Sequence, residues 1–380
     1  MWEFMKEIVI LGSTGSIGVQ ALEIIASHPE SFRVVALAAG SGNLELLARQ
    51  GEKFKVPILA TTGDKARLQS FTSAEVIDGP NSASQVAAIP ADIVLNAITG
   101  SIGLGPTLAA LSSGNKVALA NKESLVAGGE LVMSYGRDRI LPVDSEHSAL
   151  AQAMRSGKRS EISKLVLTAS GGPFRNRKDL SDVTVGEALA HPTWKMGPVV
   201  TINSATLVNK GLEVIEAHHL FSIPYKQIEA VIHPQSVVHS MVEFRDGSTI
   251  AQASPPDMKG PIAYAISSEE RYANVMRPVD WSTAQTWEFS PIDNDRFPAV
   301  ELAKRCGELG TSVTAMYNAA NEEAVGAFVE GRIAFTRIVE IVEAVVMEQG
   351  GGALSPLRDI DDVTAIEHDS RVLANELIRS

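Results

Sequence analysis

The chain has 380 residues, 45% hydrophobic and 21% charged, a globular composition long enough for two or three packed cores. Its 33 basic and 45 acidic residues leave a net charge of −12, which argues against nucleic acid or an anionic membrane as the main partner, because neutralising phosphates takes clustered Lys and Arg. The apolar runs are too short to span a bilayer, Met1 to Lys6 shows no secretory signal, and the one cysteine, Cys306, excludes an intrachain disulfide, so a reducing cytoplasm is expected.

In chain order, strands are predicted at Lys6 to Leu11, Arg33 to Ala38, Val56 to Ala60, Ala74 to Ile77, Asp92 to Asn96, Lys116 to Ala120 and Arg139 to Val143, with helical stretches between them. Runs apolar on both faces and separated by helices imply a parallel sheet covered on both sides. Residues 1–143 are therefore expected to form a Rossmann-like, doubly wound α/β domain. Beyond Ser156 the strands come closer together, at Lys164 to Thr168, Val199 to Asn203, Glu229 to His233 and Val237 to Phe244. Asp246-Gly247 marks a hairpin turn. This pattern gives a central α+β catalytic and connective domain over 144–272, and the proline-rich stretch 273–296 reads as a linker. From Pro298 onward four helices and no strands are predicted, making a C-terminal four-helix bundle over 297–380. Ile338, Ile341, Val342, Val345 and Val346 carry the helical period there, and Gly350-Gly351-Gly352 ends that helix.

Gly12-Ser13-Thr14-Gly15-Ser16-Ile17-Gly18 leaves the first strand and opens the first helix. Glycines there permit a tight turn, and the helix N-terminus attracts a pyrophosphate. The second strand ends in Gly40-Ser41-Gly42-Asn43 with no acid to bind a ribose 2′-hydroxyl, which favours NADP(H) over NAD; a turn with a helix cap is the plainer reading of the same residues.

Asp144-Ser145-Glu146 follows the last sheet strand, and in an extended chain its two carboxylates project to one side. Paired hard oxygens suit Mg²⁺ or Mn²⁺, although a helix cap would use the same residues. A helix start is predicted at Asn203-Ser204-Ala205-Thr206, after which Asn209, Lys210 and Glu213 share one face, as a phosphate and metal surface or as a surface ion pair. Ser170-Gly171-Gly172 can form an anion-binding concavity or a simple strand exit. Lys122 lies beyond a strand's carboxyl end, as a ligand contact or a solvated surface lysine, and the loop around Trp194 reads as a lid or as a tryptophan anchored in the core. His233, His239 and Cys306 are expected to be structural.

Taken in order, these motifs closely resemble the 1-deoxy-D-xylulose 5-phosphate reductoisomerases over essentially the whole chain. The carriers are Gly12 to Gly18, Ala120-Asn121-Lys122-Glu123-Ser124, Pro142 to Ser148, Ser170 to Phe174, His191 to Gly197, Asn209 to Glu213 and His233 to Ser236. The resemblance implies an NADPH- and Mg²⁺- or Mn²⁺-dependent conversion of 1-deoxy-D-xylulose 5-phosphate to 2-C-methyl-D-erythritol 4-phosphate, in isoprenoid synthesis, by a homodimer. It implies metal ligation by Asp144, Glu146 and Glu213, with Lys122 beside them in catalysis. Substrate contacts would come from Lys122, Ser145, Glu146, Ser170, His191, Ser204, Asn209, Lys210 and Glu213, under a flap carrying Trp194 and Met196. Thr14, Gly15, Ser16, Ile17, Asn121, Glu123 and Gly197 would contact NADPH, together with Gly40, Ser41, Gly42 and Asn43. The expected location is bacterial cytoplasm, with plastid stroma as the second choice. The rivals are another NADP-dependent dehydrogenase and a non-catalytic NADP-binding sensor, neither of which needs three carboxylates beside a phosphate pocket.

Overall fold

The structure is a computed structural model that describes residues 5–194, 196–350 and 356–380. Lys195 of the expected flap and Gly351-Gly352 of the expected helix stop lie outside the described residues. The chain begins with β1 (Lys6–Leu11), α1 (Ser16–Ser27), β2 (Phe32–Ala39), α2 (Leu44–Phe54), β3 (Ile58–Thr61), α3 (Lys65–Gln69), β4 (Glu75–Asp78) and α4 (Ser82–Ala87). It continues through β5 (Ile93–Asn96), α5 (Leu104–Ser112), β6 (Lys116–Leu119), α6 (Glu123–Met133), β7 (Ile140–Pro142) and α7 (Ser145–Met154). Next come β8 (Ile162–Ala169), α8 (Val185–Ala188), α9 (Pro198–Ala205), α10 (Val208–Phe221), β9 (Ile228–Ile232), β10 (Val238–Phe244) and β11 (Thr249–Ala253). The last elements are α11 (Lys259–Ile266), β12 (Ser290–Pro291), α12 (Ala299–Leu309), α13 (Thr311–Val329), α14 (Arg337–Gln349) and α15 (Ile360–Arg379).

Two compact units result. The first takes the chain up to Ser124, Val132–Ser148 and Asp257–Met276; the second takes Leu125–Leu131, Ala149–Pro256 and Arg277–Ser380. The sequence boundaries at 143/144, 272/273 and 296/297 divide the chain differently. The difference has a clear cause in α11. Ile262, Ala263, Ala265 and Ile266 are buried in the same core as Ile8, Ile10, Leu37 and Leu95, so this helix packs with the first sheet rather than with its neighbours in sequence. Burying each isoleucine contributes roughly 1.5–3 kcal/mol.

In the first unit β1 to β7 form one sheet in the order β4-β3-β2-β1-β5-β6-β7, every adjacent pair parallel. Ile8, Val9, Ile10 and Leu11 are fully buried, as a strand covered on both faces requires. The strand order reverses between β1 and β5, which makes their carboxyl ends the switch point where an open α/β sheet binds ligands.

The second unit contains a five-stranded sheet, β11-β10-β8-β9-β12, in which β8 and β9 are parallel and the remaining pairs antiparallel. The hairpin at Asp246-Gly247 joins β10 to β11, with Gly247 at φ 86°. The short β12 pairs with β9 from within the stretch read as a linker. Four helices follow among the described residues, and in α14 the five residues with the helical period are the buried ones. Cys306 is buried in α12, where desolvation raises its thiol pKa to about 12.

Two local expectations are corrected. Val199 to Asn203 is not a strand but the body of α9. Its β-branched run fits a strand, yet Gly197 at the N-cap and Pro198 in the first turn start a helix, and the Thr201 hydroxyl donates to Gly197 O at 2.9 Å. Asn203 to Thr206 is accordingly a helix end rather than a helix start. Leu207, at φ 60°, breaks the path before α10 begins, and Thr206 Oγ1 accepts from Val208 N across the break.

Candidate active site

In the first unit the glycine-rich loop sits at the switch point. Gly12 has φ 78°, and a Cβ there would lie 2.5 Å from Ala97 O; a Cβ on Gly18 would lie 2.4 Å from Gly12 O. No side chain fits at either position. Ser13, which carries no role in the sequence reading, is fully buried and exchanges two hydrogen bonds with Gln50 of α2, each 2.9 Å. That pair pins the loop while leaving Thr14, Gly15, Ser16 and Ile17 at least partly exposed at the start of α1. Asn121 is 1% exposed, and its amide donates to Ile98 O, Gly100 O and Glu123 Oε2, so its side chain braces the loop after β5. Gly40 to Asn43 form an exposed single turn, and Asn43 caps α2 by accepting from Leu46 N at 3.0 Å.

The same unit gathers Lys122, Asp144, Ser145 and Glu146. Their backbone is not extended as expected: Ser145 already begins α7, so Glu146 stands in its first turn and Asp144 just before it. Lys122 Nζ lies 2.6 Å from Asp144 Oδ2, with both side chains nearly buried. Burial alone raises the Asp144 pKa, but the Lys122 ammonium and His147 overcome it and hold the carboxyl well below the usual carboxylate range. Ser145 Oγ donates to Glu146 Oε2 at 2.6 Å. Two neighbouring carboxylates, one of them held ionised by a cation, suit a divalent metal such as Mg²⁺.

In the second unit the strand-exit turn after β8 depends on two left-handed glycines, Gly171 at φ 82° and Gly172 at φ 62°. A Cβ on Gly172 would stand 2.9 Å from Ser204 O, so this glycine lets the turn press against the last residues of α9. Ser170 and His191 meet there, with Oγ 2.9 Å from Nε2. The backbone N–H groups of Thr193 and Trp194 donate to His191 Nδ1, at 3.1 and 2.9 Å. The proton of the neutral ring therefore sits on Nε2 and is donated to Ser170. Burial, then nearby Arg175, lowers the His191 pKa and favours that neutral form. Ser170 Oγ also accepts from Gly172 N at 3.3 Å, which leaves the hydroxyl proton to donate outward to an anion.

Lys210 and Glu213 form a buried ion pair in the first turns of α10, and Asn209 Nδ2 donates to the same carboxylate. Ser204 is half-buried at the end of α9. Trp194 and Met196 are half-buried in the segment before α9, the Trp194 ring lying 6.2 Å from that of His239, and Gly197 is exposed. His233 and His239 are structural, as expected. His233 Nδ1 donates to Glu288 O while its Nε2 accepts from Val237 and Val238 N, and His239 Nε2 donates to Ser254 O. Arg175, whose charge helps lower the His191 pKa, escaped sequence reasoning because nothing local marks it.

The family pattern described as "1-deoxy-D-xylulose 5-phosphate reductoisomerase" matches residues 8–129, and patterns for that family's C-terminal domains match 140–221 and 253–373. The chain is 54% identical to the 1-deoxy-D-xylulose 5-phosphate reductoisomerase of Pseudarthrobacter chlorophenolicus, with 98% of each chain covered. It is 53% identical to that of Kitasatospora griseola, over 97% of this chain and 99% of the other. Among solved structures, the reductoisomerase from Zymomonas mobilis in complex with NADPH superposes with a TM-score of 0.91 at 37% identity, covering 99% of this chain and 100% of that one. A DOX-P reductoisomerase in complex with NADPH, fosmidomycin and magnesium gives a TM-score of 0.92 at 36% identity, covering 99% and 98%. The mixed α/β fold agrees with both, and the chain belongs to the 1-deoxy-D-xylulose 5-phosphate reductoisomerase family.

Proposed function

We propose that this chain converts 1-deoxy-D-xylulose 5-phosphate to 2-C-methyl-D-erythritol 4-phosphate, using NADPH and a divalent metal. The observation that carries the proposal is the Lys122–Asp144 pair beside Glu146, in a chain that matches its relatives over nearly its whole length. Asp144, Glu146 and Glu213 would hold the metal, and Thr14 to Ile17 with Gly40 to Asn43 would border NADPH. When bound, NADPH supplies hydride and the divalent ion supplies Lewis acidity toward the substrate's carbonyl and hydroxyl oxygens. Lys122 and Ser145 orient the sugar backbone beside Glu146. Ser170, Ser204, Asn209 and Lys210 donate to the phosphate, so that binding energy remote from the reacting carbons fixes orientation. Trp194 and Met196 cover the substrate and keep water from the intermediate. Asn121 braces its loop, with Glu123 and Gly197 completing the cofactor surroundings. The buried Lys210 also offsets an overall charge of −12 that would otherwise repel an anionic substrate. A homodimer in the bacterial cytoplasm completes the reading; the relatives are bacterial, and no helix among the described residues is long and apolar enough to cross a membrane.

The test follows NADPH absorbance with 1-deoxy-D-xylulose 5-phosphate, with Mg²⁺ or Mn²⁺ and with chelator. Metal-dependent oxidation that Glu213→Gln abolishes is the expected result. Folded protein that binds NADPH but never oxidises it would refute the proposal.

A further inference from the structure

We infer that Asn321, in the middle of α13, is a positioning residue for substrate binding: through Asn203 it fixes the rotation of α9 and so aims Ser204. The inference rests on the proposal that Ser204 contacts the substrate phosphate. Asn321 is fully buried, Asn203 is 5% exposed, and Asn321 Nδ2 donates to Asn203 Oδ1 at 3.1 Å. The other half of the Asn321 amide, Oδ1, is buried with no hydrogen-bond partner among the described residues. On its own face of α13, Ala324 and Val325 are buried and apolar, while Tyr317 and Asn318 are buried with polar groups of their own.

A fully buried amide with one bond made and its acceptor unmet is a poor stabiliser, since the unmade bond costs more than the made one returns. What the pair supplies is direction. α9 has only eight residues, and a β-branched run fills its middle. Ile202 and Ala205 are fully buried beside Thr201 and set the inward side broadly, and the Asn203–Asn321 bond fixes the angle within it. With Asn203 turned inward, Ser204 lies about 100° further round the helix, at the half-buried surface where it meets the Gly172 turn. The partners are far apart in sequence, so the last helical region of the chain sets a side chain of the substrate site.

The test replaces Asn321 with Leu, similar in volume but unable to hydrogen-bond. The KM for 1-deoxy-D-xylulose 5-phosphate should rise about tenfold, while NADPH affinity and Tm hold steady or Tm increases. Ser204→Ala should raise KM comparably, and Ser204→Ala/Asn321→Leu should be no worse than Ser204→Ala alone, because both remove one interaction. Asn203→Leu should raise KM as Asn321→Leu does with NADPH affinity unchanged, but at a lower Tm because it leaves Asn321 buried with neither bond made, and it stands in should Asn321→Leu not fold. An unchanged KM, additive losses in the double variant, or a KM rise accompanied by equal falls in NADPH affinity and Tm would each overturn the inference. If Ser204→Ala leaves KM unmoved, the phosphate assignment of Ser204 fails, and the positioning role falls with it. That outcome differs from Asn321→Leu being silent while Ser204→Ala is not.

Discussion

His191→Gln separates the two jobs of one imidazole. Glutamine can present an amide N–H where Nε2–H donates to Ser170 Oγ, but it offers nothing where Nδ1 accepts from Thr193 and Trp194 N–H at 3.1 and 2.9 Å. Each lost bond costs about 1 kcal/mol. The segment that carries Trp194 thus loses roughly 2 kcal/mol of local stability, and its amides should exchange about thirtyfold faster. His191→Asn does the reverse: its carbonyl stands near the Nδ1 position and keeps the segment anchored, while the donor to Ser170 is lost. Hydrogen exchange read by mass spectrometry on peptides spanning residues 191–201, together with the substrate KM, distinguishes the two variants. The glutamine variant should lose protection with a modest change in KM; the asparagine variant should keep protection and lose substrate affinity. Equal protection at Trp194 in both variants would refute the assignment of Nδ1 as the anchor.

Three further outcomes are expected. The His191 pKa is lowered from 6.5, so between that lowered value and 6.5 the unfolded ring binds protons the folded ring does not, and stability rises with pH across this window. Protection of the Trp194 segment, corrected for intrinsic exchange, should therefore fall as pH drops below 6.5; His239, lowered chiefly by burial, acts in the same direction, so the difference from His191→Gln isolates the first ring. Gly172→Ala adds a left-handed penalty and a Cβ 2.9 Å from Ser204 O, and should cost about 2–4 kcal/mol with a raised substrate KM; an unchanged Tm would show that the turn does not press on α9. Ser13→Ala leaves buried Gln50 half-satisfied, which should weaken NADPH about tenfold in fluorescence titration and leave the substrate KM alone.

Much of this was legible in the sequence wherever local chemistry and the final environment agree. Ile8 to Leu11 reads as a strand buried on both faces because it is one, and the glycines after it are required by backbone contacts at 2.4 and 2.5 Å. Asp144, Glu146, Lys210 and Glu213 stand out as charged residues at element ends and on one helix face. Local signals mislead where capping decides. The run Val199-Val200-Thr201-Ile202 fits a strand by propensity and becomes helix because Gly197 and Pro198 start one. Asp144 and Glu146 were paired through an extended period, yet the chain has already turned into α7 at Ser145. Other features are invisible locally because their partners are distant. Nothing near Ser13 announces Gln50, nothing near Asn203 announces Asn321, and α11 gives no hint that its apolar face belongs with the first sheet.

The placement of α11 has a consequence for biosynthesis. The strands of the first sheet have all emerged by Pro142, but the helix that closes their core is not made until Ile266. On a ribosome adding 5–20 residues per second, about 120 residues separate the two events, a delay of about 6–25 s. Throughout it the nascent N-terminal unit displays the apolar surface later covered by Ile262 and Ile266, while the intervening chain, which builds most of the second sheet, is still emerging. The first unit is thus completed out of sequence order.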